Sequence, residues 1–413
     1  MSNKRPRILM LVENCYPQDT RVRNEANLLA AAGYRVLVIA WRKPGQLFTE
    51  KVNGVRVYRL RPFEMFNKTP ARNAGALGTF CLKVKSFLGY MAEYGSFTGS
   101  CLVLSFYILM KEGFDVLHAH NPPDTLFLVA LPFKLLGKKF VFDHHDLSPE
   151  LYQSRYGAKG GFYSWLLHLF ESGSLGLADV TIATNESYKQ IQISRGRRDP
   201  KTVFVVRNGP DGSRMAGAVP SARLRAMKRT ILCYIGAMNP QDGVDYLFRS
   251  LHYLYYNLNR TDFYCVVMGS GDSLEDLRAL AKELQLEACL ELTGFVSEED
   301  LLSNLAAADI CVDPDPSSPL NDVSTWIKIM EYMAFRKPIV TFALKETRFS
   351  AQEAALYVPP NDEKAFAMGI AKLMDDPTLR KKMGDFGRGR VERELQWSIV
   401  GKNLLNAYES MYG

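Results

Sequence analysis

Short apolar runs alternate with amphipathic stretches along the whole chain. RILMLVEN is apolar without a break and predicts a buried strand, while RVRNEANLLAAAG spaces its apolar residues as a helix does and is closed by Gly33. YRVLVIAW returns to an unbroken apolar run, and the same beat continues through GVRVYRL, DVLHAH, KFVFDHH, DVTIATN and TVFVVRNG. A second series restarts at TILCYIGAM and runs through FYCVVMG, LELTGFV, DICVDPD, KPIVTFA and ALYVPP. Short apolar strands alternating with helices imply doubly wound parallel sheets, and two series imply two Rossmann-like domains.

The break falls in NGPDGSRMAGAVPSARLRAMKR, residues 208–229, which is rich in Gly, Pro, Ser and Arg and has no sustained periodicity. The expected domains are therefore 1–207 and 208–393, with a closing helix at about 394–413 that could pack back on the first. Ligands of such sheets bind at the carboxyl ends of the strands, so facing sheets would place a site in the cleft between them. Residues 62–110 interrupt the rhythm: Lys68, Arg72, Lys83 and Lys85 are interleaved with Phe63, Phe66, Phe80, Phe87, Tyr90, Tyr94 and Phe97. Two readings stay open there, an inserted pair of helices packed on the sheet and a basic, aromatic surface that touches membrane or receives a lipid-linked acceptor.

Length and composition fit this division. At 413 residues the chain exceeds a single ordinary core, and its 47% hydrophobic and 23% charged residues are those of a globular protein without low-complexity tracts. Seven cysteines stand without paired spacing, mostly inside apolar runs, and read as core residues of a reducing compartment. The apolar run near the N-terminus is too short for a signal peptide and no run reaches the length of a spanning helix, so the expected location is cytoplasmic. A net charge of +7 points to anionic partners, but no zinc-ligand set or single-strand-binding motif singles out nucleic acid.

The richest chemistry lies in NDVSTWIKIMEYMAFRKPIV. Asn321, Asp322, Ser324 and Thr325 sit where the first backbone N–H groups of a helix need partners, and Ile327, Met330, Met333 and Ala334 supply its apolar spacing. Such a helix start can hold an anion; Lys328 would add a full charge, and Glu331 could accept from a sugar hydroxyl. Phosphate and hydroxyls together suggest a nucleotide sugar. The loops ENCYPQDTRVRNE, HAHNPPD and DHHDLSPE fall at strand ends and gather Arg21, Arg23, His118, His120, Asn121, Asp143, His144, His145 and Asp146. Arg21 there could meet phosphate or pair with Glu25 or Asp19, and an imidazole could orient or deprotonate a hydroxyl. Metal-ligand spacing is absent, and the prolines around Asp313 and Asp315 favour a rigid turn over a diphosphate-bound metal. Gly236 with AMNPQD, the MGSGD loop, and Phe295 and Val296 before a capping box complete the strand-end loops of the second series.

The order of these motifs resembles the retaining glycosyltransferases of family 4, of GT-B fold: PQDTRVRNEANLLAAAGYRVLVI, DVLHAHN, FDHHD, ATNES and VVRNG, then YIGAMNPQDGVDYL, VVMGSGD, LTGFV, EYMAFRKPIV and LYVPPND. The resemblance implies an α/β fold of two Rossmann-like domains facing across a cleft, and transfer of sugar from a UDP- or GDP-sugar to a hydroxyl of a glycan or lipid-linked acceptor in polysaccharide or glycoconjugate biosynthesis. It implies no tightly bound cofactor and no divalent metal. It places the donor on the second domain at Gly236, Met238, Asn239, Phe295, Val296, Asp322, Ser324, Thr325 and Glu331, with Glu331 on the ribose. The acceptor side would be Arg21, Arg23, His118 and Asn121, and the catalytic candidates are His120, Asp143, His145 and Lys328.

Two departures from the family pattern stand out. The first glutamate of the usual pair would fall at Val323, beside Asp322, which could replace it. The Arg and Lys expected after Gly236 give way to Met238–Asp242, leaving Lys328 as the first candidate for the diphosphate charge, with Arg207 or Arg21 behind it. A catalytically weak nucleotide-sugar-binding partner subunit and a GT-B epimerase are the alternative readings. Expected partners are the nucleotide sugar, the acceptor and, through residues 62–110, the cytoplasmic face of the inner membrane.

Overall fold

The computed structural model describes residues 5–62, 76–156, 161–210, 215 and 217–412. The chain forms two compact units, one of Met1–Pro149, Lys159–Val206 and Gly401–Gly413, the other of Glu150–Ala158 and Arg207–Val400.

The first unit is built on eight strands: β1 (Arg7–Cys15), β2 (Arg35–Trp41), β3 (Thr49–Val52), β4 (Val55–Leu60), β5 (Val116–His120), β6 (Lys139–His144), β7 (Val180–Ala183) and β8 (Val203–Val205). Their order is β3-β4-β2-β1-β5-β6-β7-β8, parallel except for β3, which pairs antiparallel with β4. β3 is absent from the expected series. It is joined to β4 by Asn53 and Gly54, both at positive φ, an Asn-Gly pair of the kind that closes tight hairpins.

The helices are α1 (Thr20–Ala31), α2 (Ala76–Lys111), α3 (Phe127–Leu135), α4 (Ser148–Tyr156), α5 (Phe162–Leu177) and α6 (Glu186–Ser194). Phe97, Cys101, Leu104 and Ile108 recur on one side of α2 and join Val129, Ala130 and Phe133 of α3 in a core against Leu9, Leu11, Leu37 and Ile39 of the sheet. Among the described residues one long helix stands where a pair was expected. Residues 63–75, with Phe63, Phe66, Lys68 and Arg72, lie outside the described residues.

In the second unit β9 (Thr230–Ile235), β10 (Phe263–Met268), β11 (Leu290–Gly294), β12 (Ile310–Asp313), β13 (Ile339–Phe342) and β14 (Ala355–Val358) form a parallel sheet ordered β11-β10-β9-β12-β13-β14. Apolar clusters cover both faces, one including Leu247, Phe248, Phe366 and Ile370, the other Ile329, Met330, Met333 and Val391. The cysteines fit this packing: Cys101, Cys233, Cys265, Cys289 and Cys311 are free and buried, and Cys15 is free and half-buried. Within the stretch read as a linker, Ala222–Ala226 is a helical turn whose Leu224 is fully buried. No helix among the described residues is long and apolar enough to cross a membrane.

Candidate functional site

Each sheet reverses its strand order at one point, between β1 and β5 in the first unit and between β9 and β12 in the second. Such reversals open a crevice at the carboxyl ends of the strands, and the polar loops of both series emerge there.

In the first unit three local rules bring a charged cluster together. Asp19 caps α1 by accepting from the Val22 amide at 3.0 Å, which sets Arg21 and Glu25 four residues apart on one helix face. His118 and His120 lie two apart on β5, hence on one side of the sheet, and His120 is in register with Asp143 of β6. Arg21 is the hub. Its Nη2 donates to both Asp143 oxygens at 2.8 and 3.0 Å, its Nη1 to the Val206 carbonyl at 3.0 Å, and its Nε to His145 Nε2 at 2.9 Å, while Glu25 Oε1 lies 3.1 Å away. The His120 and His145 rings meet at 3.1 Å between Nδ1 and Nε2. Arg21, Glu25, His118, His120 and Asp143 are all buried, whereas the His145 side chain is 17% exposed. His145 is therefore the member of this group that reaches solvent.

Burial would raise the pKa of Asp143, but the Arg21 guanidinium overrides it and holds the carboxyl well below its usual range. Glu25 goes the other way, raised well above its ordinary value by burial and by the charge on Asp143. Burial, with the neighbouring imidazole for His118, depresses His118 and His120 so that both are neutral near pH 7. Glu25, His118, His120 and Asp143 each offer a ligand atom within 4.8 Å of the others, and the cation at this place in the structure is Arg21.

Asn121 holds the neighbouring loop. Its Oδ1 accepts from the amides of His145 and Asp146 at 2.6 and 3.2 Å, and its Nδ2 donates to Asp124 and to the Asp146 carbonyl at 2.9 and 2.7 Å. Arg23 points elsewhere, with Nη1 3.4 Å from the Pro17 carbonyl. His144, on the opposite sheet face, lies 3.4 Å from Glu171. Tyr408 belongs to the cluster without having been singled out in the sequence, and Glu25 was singled out only as a pairing partner of Arg21. Tyr408, in helix Lys402–Glu409, meets His118 Nδ1 at 2.9 Å. The i, i+4 spacing of Arg21 and Glu25 was visible; nothing local marks Tyr408, almost three hundred positions from its partner.

In the second unit the loops after β9, β10 and β12 close on one another. A side chain on Gly269 (φ 147°) would strike the Gly236 carbonyl oxygen at 1.8 Å, and one on Gly243 (φ 63°) the Pro314 oxygen at 2.3 Å. Met238 is fully buried and pairs through its backbone with Ser270 and Ser273 at 3.1 and 2.8 Å; Asn239 accepts from the Asp272 amide at 3.1 Å. Ser297 caps the helix after β11, and Phe295 just before it stands 89% exposed with Val296 partly buried.

Helix Ile327–Ala334 starts later than its polar prelude suggests. Asn321–Val323 is a short 3-10 turn, Ser324 donates to the Leu320 carbonyl at 2.8 Å, Thr325 lies 3.4 Å from Glu346, and the N-cap position falls on Trp326, whose side chain does not cap the helix. Asn321 instead ties the loops together through the carbonyls of Gln241 and Pro316, and the Asp322 carboxylate accepts from Ser317 at 3.0 Å. Ile327 is 39% exposed in the first turn, while Met330 and Met333 carry the buried face. Glu331 is half-buried in the same helix.

Lys328 corrects an expectation. Its ammonium does not stand open to an anion: it is buried between Asp313 Oδ1 at 3.0 Å and Asp315 Oδ2 at 2.5 Å, over the Tyr234 ring. Burial would lower the lysine pKa, but the two carboxylates hold it well above its ordinary value. Asp313 is lowered against burial by Lys328, whereas burial and the charge on Asp313 raise Asp315 well above the usual range. The charge of Lys328 is spent inside the protein. The Asp-x-Asp pair that prolines were expected to hold in a rigid turn is held by a lysine as well.

Two family models match the chain in order, "Glycosyl transferase 4-like domain" over residues 18–209 and "Glycosyl transferases group 1" over residues 229–376. An uncharacterized glycosyltransferase of Methanocaldococcus jannaschii is 22% identical over 373 residues, covering 87% of this chain and 86% of that protein. The GDP-mannose-dependent monoacylated alpha-(1-6)-phosphatidylinositol monomannoside mannosyltransferase of Corynebacterium glutamicum is 26% identical over 213 residues, 49% of this chain and 55% of that protein. Among solved structures, sucrose-phosphate synthase from Thermosynechococcus elongatus superposes with a TM-score of 0.74 at 19% identity, covering 99% of both chains. Anabaena HepE in complex with UDP and glucose superposes with a TM-score of 0.71 at 14% identity, covering 98% of this chain and 100% of that one. The shared fold is GT-B, two parallel-sheet α/β domains. With both halves of the family pattern matched in sequence order, the chain belongs to the group 1, family 4 glycosyltransferases and is a sugar-transferring enzyme.

Proposed function

We propose that the protein transfers a sugar, with retention of configuration, from a UDP- or GDP-sugar to a hydroxyl of a glycan or lipid-linked acceptor at the cytoplasmic face of the membrane. In this reading residues 208–393 bind the donor and residues 1–207 the acceptor. The observation that carries it is the closure of the loops after β9, β10 and β12 around glycine contacts, beside a helix start and Glu331. Glycine-lined backbone next to a helix N-terminus suits a diphosphate, since amides and the helix dipole supply partial positive charge. Glu331 is the acceptor for ribose hydroxyls, and the exposed Phe295 with Val296 offers a surface for the base.

Two relatives bear on the donor: HepE was solved with UDP and glucose, and the Corynebacterium enzyme is GDP-mannose-dependent. The latter acts on a phosphatidylinositol monomannoside, an example of a lipid-linked acceptor. Because Lys328 already neutralises Asp313, the diphosphate is held chiefly by amides around Ser324 and Thr325. Lys328 is then a positioning residue that fixes the β12 loop. In the first unit His145 is the group that touches sugar or acceptor, oriented by Arg21, Asp143 and His120. No divalent metal is assigned a role, as each buried carboxylate pair already faces a basic side chain.

The test is a panel of UDP- and GDP-sugars offered with soluble and lipid-linked glycans. Release of nucleoside diphosphate should require an acceptor, and the anomeric coupling constant of the product should match that of the donor. An inverted anomer, or release indifferent to every acceptor, would overturn the proposal.

A further inference from the structure

What His145 can do to a substrate depends on which of its ring nitrogens carries the proton. A neutral imidazole has one N–H donor and one lone pair, so one edge of the ring gives a hydrogen bond and only the other can take a proton. The neighbours of each nitrogen decide between the two forms.

Nε2 faces into the cluster. The Nε–H of Arg21 donates to it at 2.9 Å, and a guanidinium does not give up its protons in a protein. A proton on His145 Nε2 would therefore set two N–H groups against each other. Asp143 Oδ2 also lies 3.1 Å from this nitrogen and would accept from an N–H there, but Arg21 already donates to that carboxylate through Nη2 at 2.8 and 3.0 Å and through Nε at 3.3 Å. His120 adds a second constraint. Its Nδ1 stands 3.1 Å from the same His145 nitrogen, and burial keeps its ring neutral near pH 7. With a lone pair on His145 Nε2, His120 carries its single proton on Nδ1 and donates it. Two donors thus converge on one lone pair. The loop that carries the ring is itself tied down, because the His145 amide donates to Asn121 Oδ1 at 2.6 Å.

The other edge is open. Among the described residues Nδ1 takes part in none of the hydrogen bonds of the ring, and it is not buried. We infer that Arg21 and His120 lock His145 as the Nδ1–H tautomer, so that its open edge offers a sugar oxygen a hydrogen-bond donor and holds no lone pair with which to deprotonate an acceptor hydroxyl. Protonating the ring changes nothing at that edge, since an imidazolium carries the same N–H. Of the two roles open to an imidazole in this loop, orienting a hydroxyl and deprotonating it, the geometry keeps the first. Arg21 is then a positioning residue that acts through His145. The choice of a sugar oxygen rests on the transferase reading, whereas the tautomer does not, so the two fail separately.

The lock is read by multiple-bond proton–nitrogen NMR of the whole protein labelled with nitrogen-15 histidine, at about pH 8 where free imidazoles are neutral. The His145 signals are those missing from His145→Asn. Nδ1 should show the shift of a protonated ring nitrogen and Nε2 that of a lone-pair nitrogen. The reverse assignment, or an equal mixture of tautomers, would overturn the inference whether or not any sugar transfer is detected. The donor role is read from kinetics with whichever nucleotide sugar and acceptor support transfer. His145→Ala should lower kcat/KM by about tenfold to a hundredfold, the loss of a hydrogen bond to a substrate oxygen. Asn can place an N–H where Nδ1 stands and has no basic nitrogen, so His145→Asn should stand at least about fivefold above His145→Ala. Equal loss in the two variants, with thermal midpoints matching wild type, would show that the ring serves as a base and would overturn the donor role.

Discussion

At the scale of single residues, both units use the same electrostatic device. Arg21 faces Glu25 and Asp143, Lys328 faces Asp313 and Asp315, and in each trio the two carboxyls are driven apart, one lowered by the basic group and the other raised well above its ordinary value by burial and its charged neighbour. Breaking such a group is costlier than never having it, because the remaining charges stay buried without a partner. Lys328→Met should therefore lower the unfolding free energy by about 3–5 kcal/mol, read from urea midpoints, with Asp313→Asn in the same chain recovering part of the loss. A cost below about 1 kcal/mol would mean that the ammonium is not held as described. The sequence singled out Lys328 as a charge for phosphate and read the Asp-x-Asp pair as a turn held by prolines. It could not show that they face each other, since Lys328 stands fifteen and thirteen positions beyond them, across a loop, a 3-10 turn and a helix start. Arg21 with Glu25 was legible because helix spacing alone brings them together.

At the scale of elements, period-two placement on β6 divides neighbouring histidines between two environments. His145 follows the strand into the Arg21 cluster, while His144 points to the other face and is buried beside Glu171. Burial, reinforced by the charge on Arg195, lowers the pKa of His144 to about 3. The folded protein thus keeps this ring neutral where the unfolded chain, near 6.5, takes up a proton, so stability is full above that value and is lost as pH falls below it. The slope is ~1.4 kcal/mol per pH unit, or about 2 kcal/mol between pH 6.5 and 5. His144→Gln should remove that much of the wild-type decline in urea-unfolding free energy between pH 7 and 5; an identical decline in both proteins would show that His144 titrates normally when folded. Strand and helix positions were readable from periodicity almost throughout. The exceptions are instructive: β3 is held by an Asn-Gly hairpin signal rather than by apolar alternation, and the helix at Ile327 begins beyond its polar prelude because that prelude bonds to neighbouring loops instead.

At the scale of the whole molecule, two strand series separated by a Gly- and Pro-rich break were enough to indicate two parallel α/β domains, and the strand orders then locate a crevice on each. Against the family pattern the first glutamate falls at Val323 and the Arg and Lys after Gly236 are replaced, and the structure does not leave Lys328 to supply the latter charge, since Asp313 and Asp315 hold it. Donor binding in this account depends instead on backbone amides, the Asp322 loop and Glu331. Calorimetric titration with a panel of UDP- and GDP-sugars, on wild type and on Glu331→Ala, tests that dependence most directly. The account predicts that at least one nucleotide sugar binds wild type and that Glu331→Ala weakens it about tenfold or more, the loss of roughly 1.4 kcal/mol expected for charge-assisted hydrogen bonds to hydroxyls. Equal affinity in both proteins, or no binding of any nucleotide sugar to wild type, would contradict it.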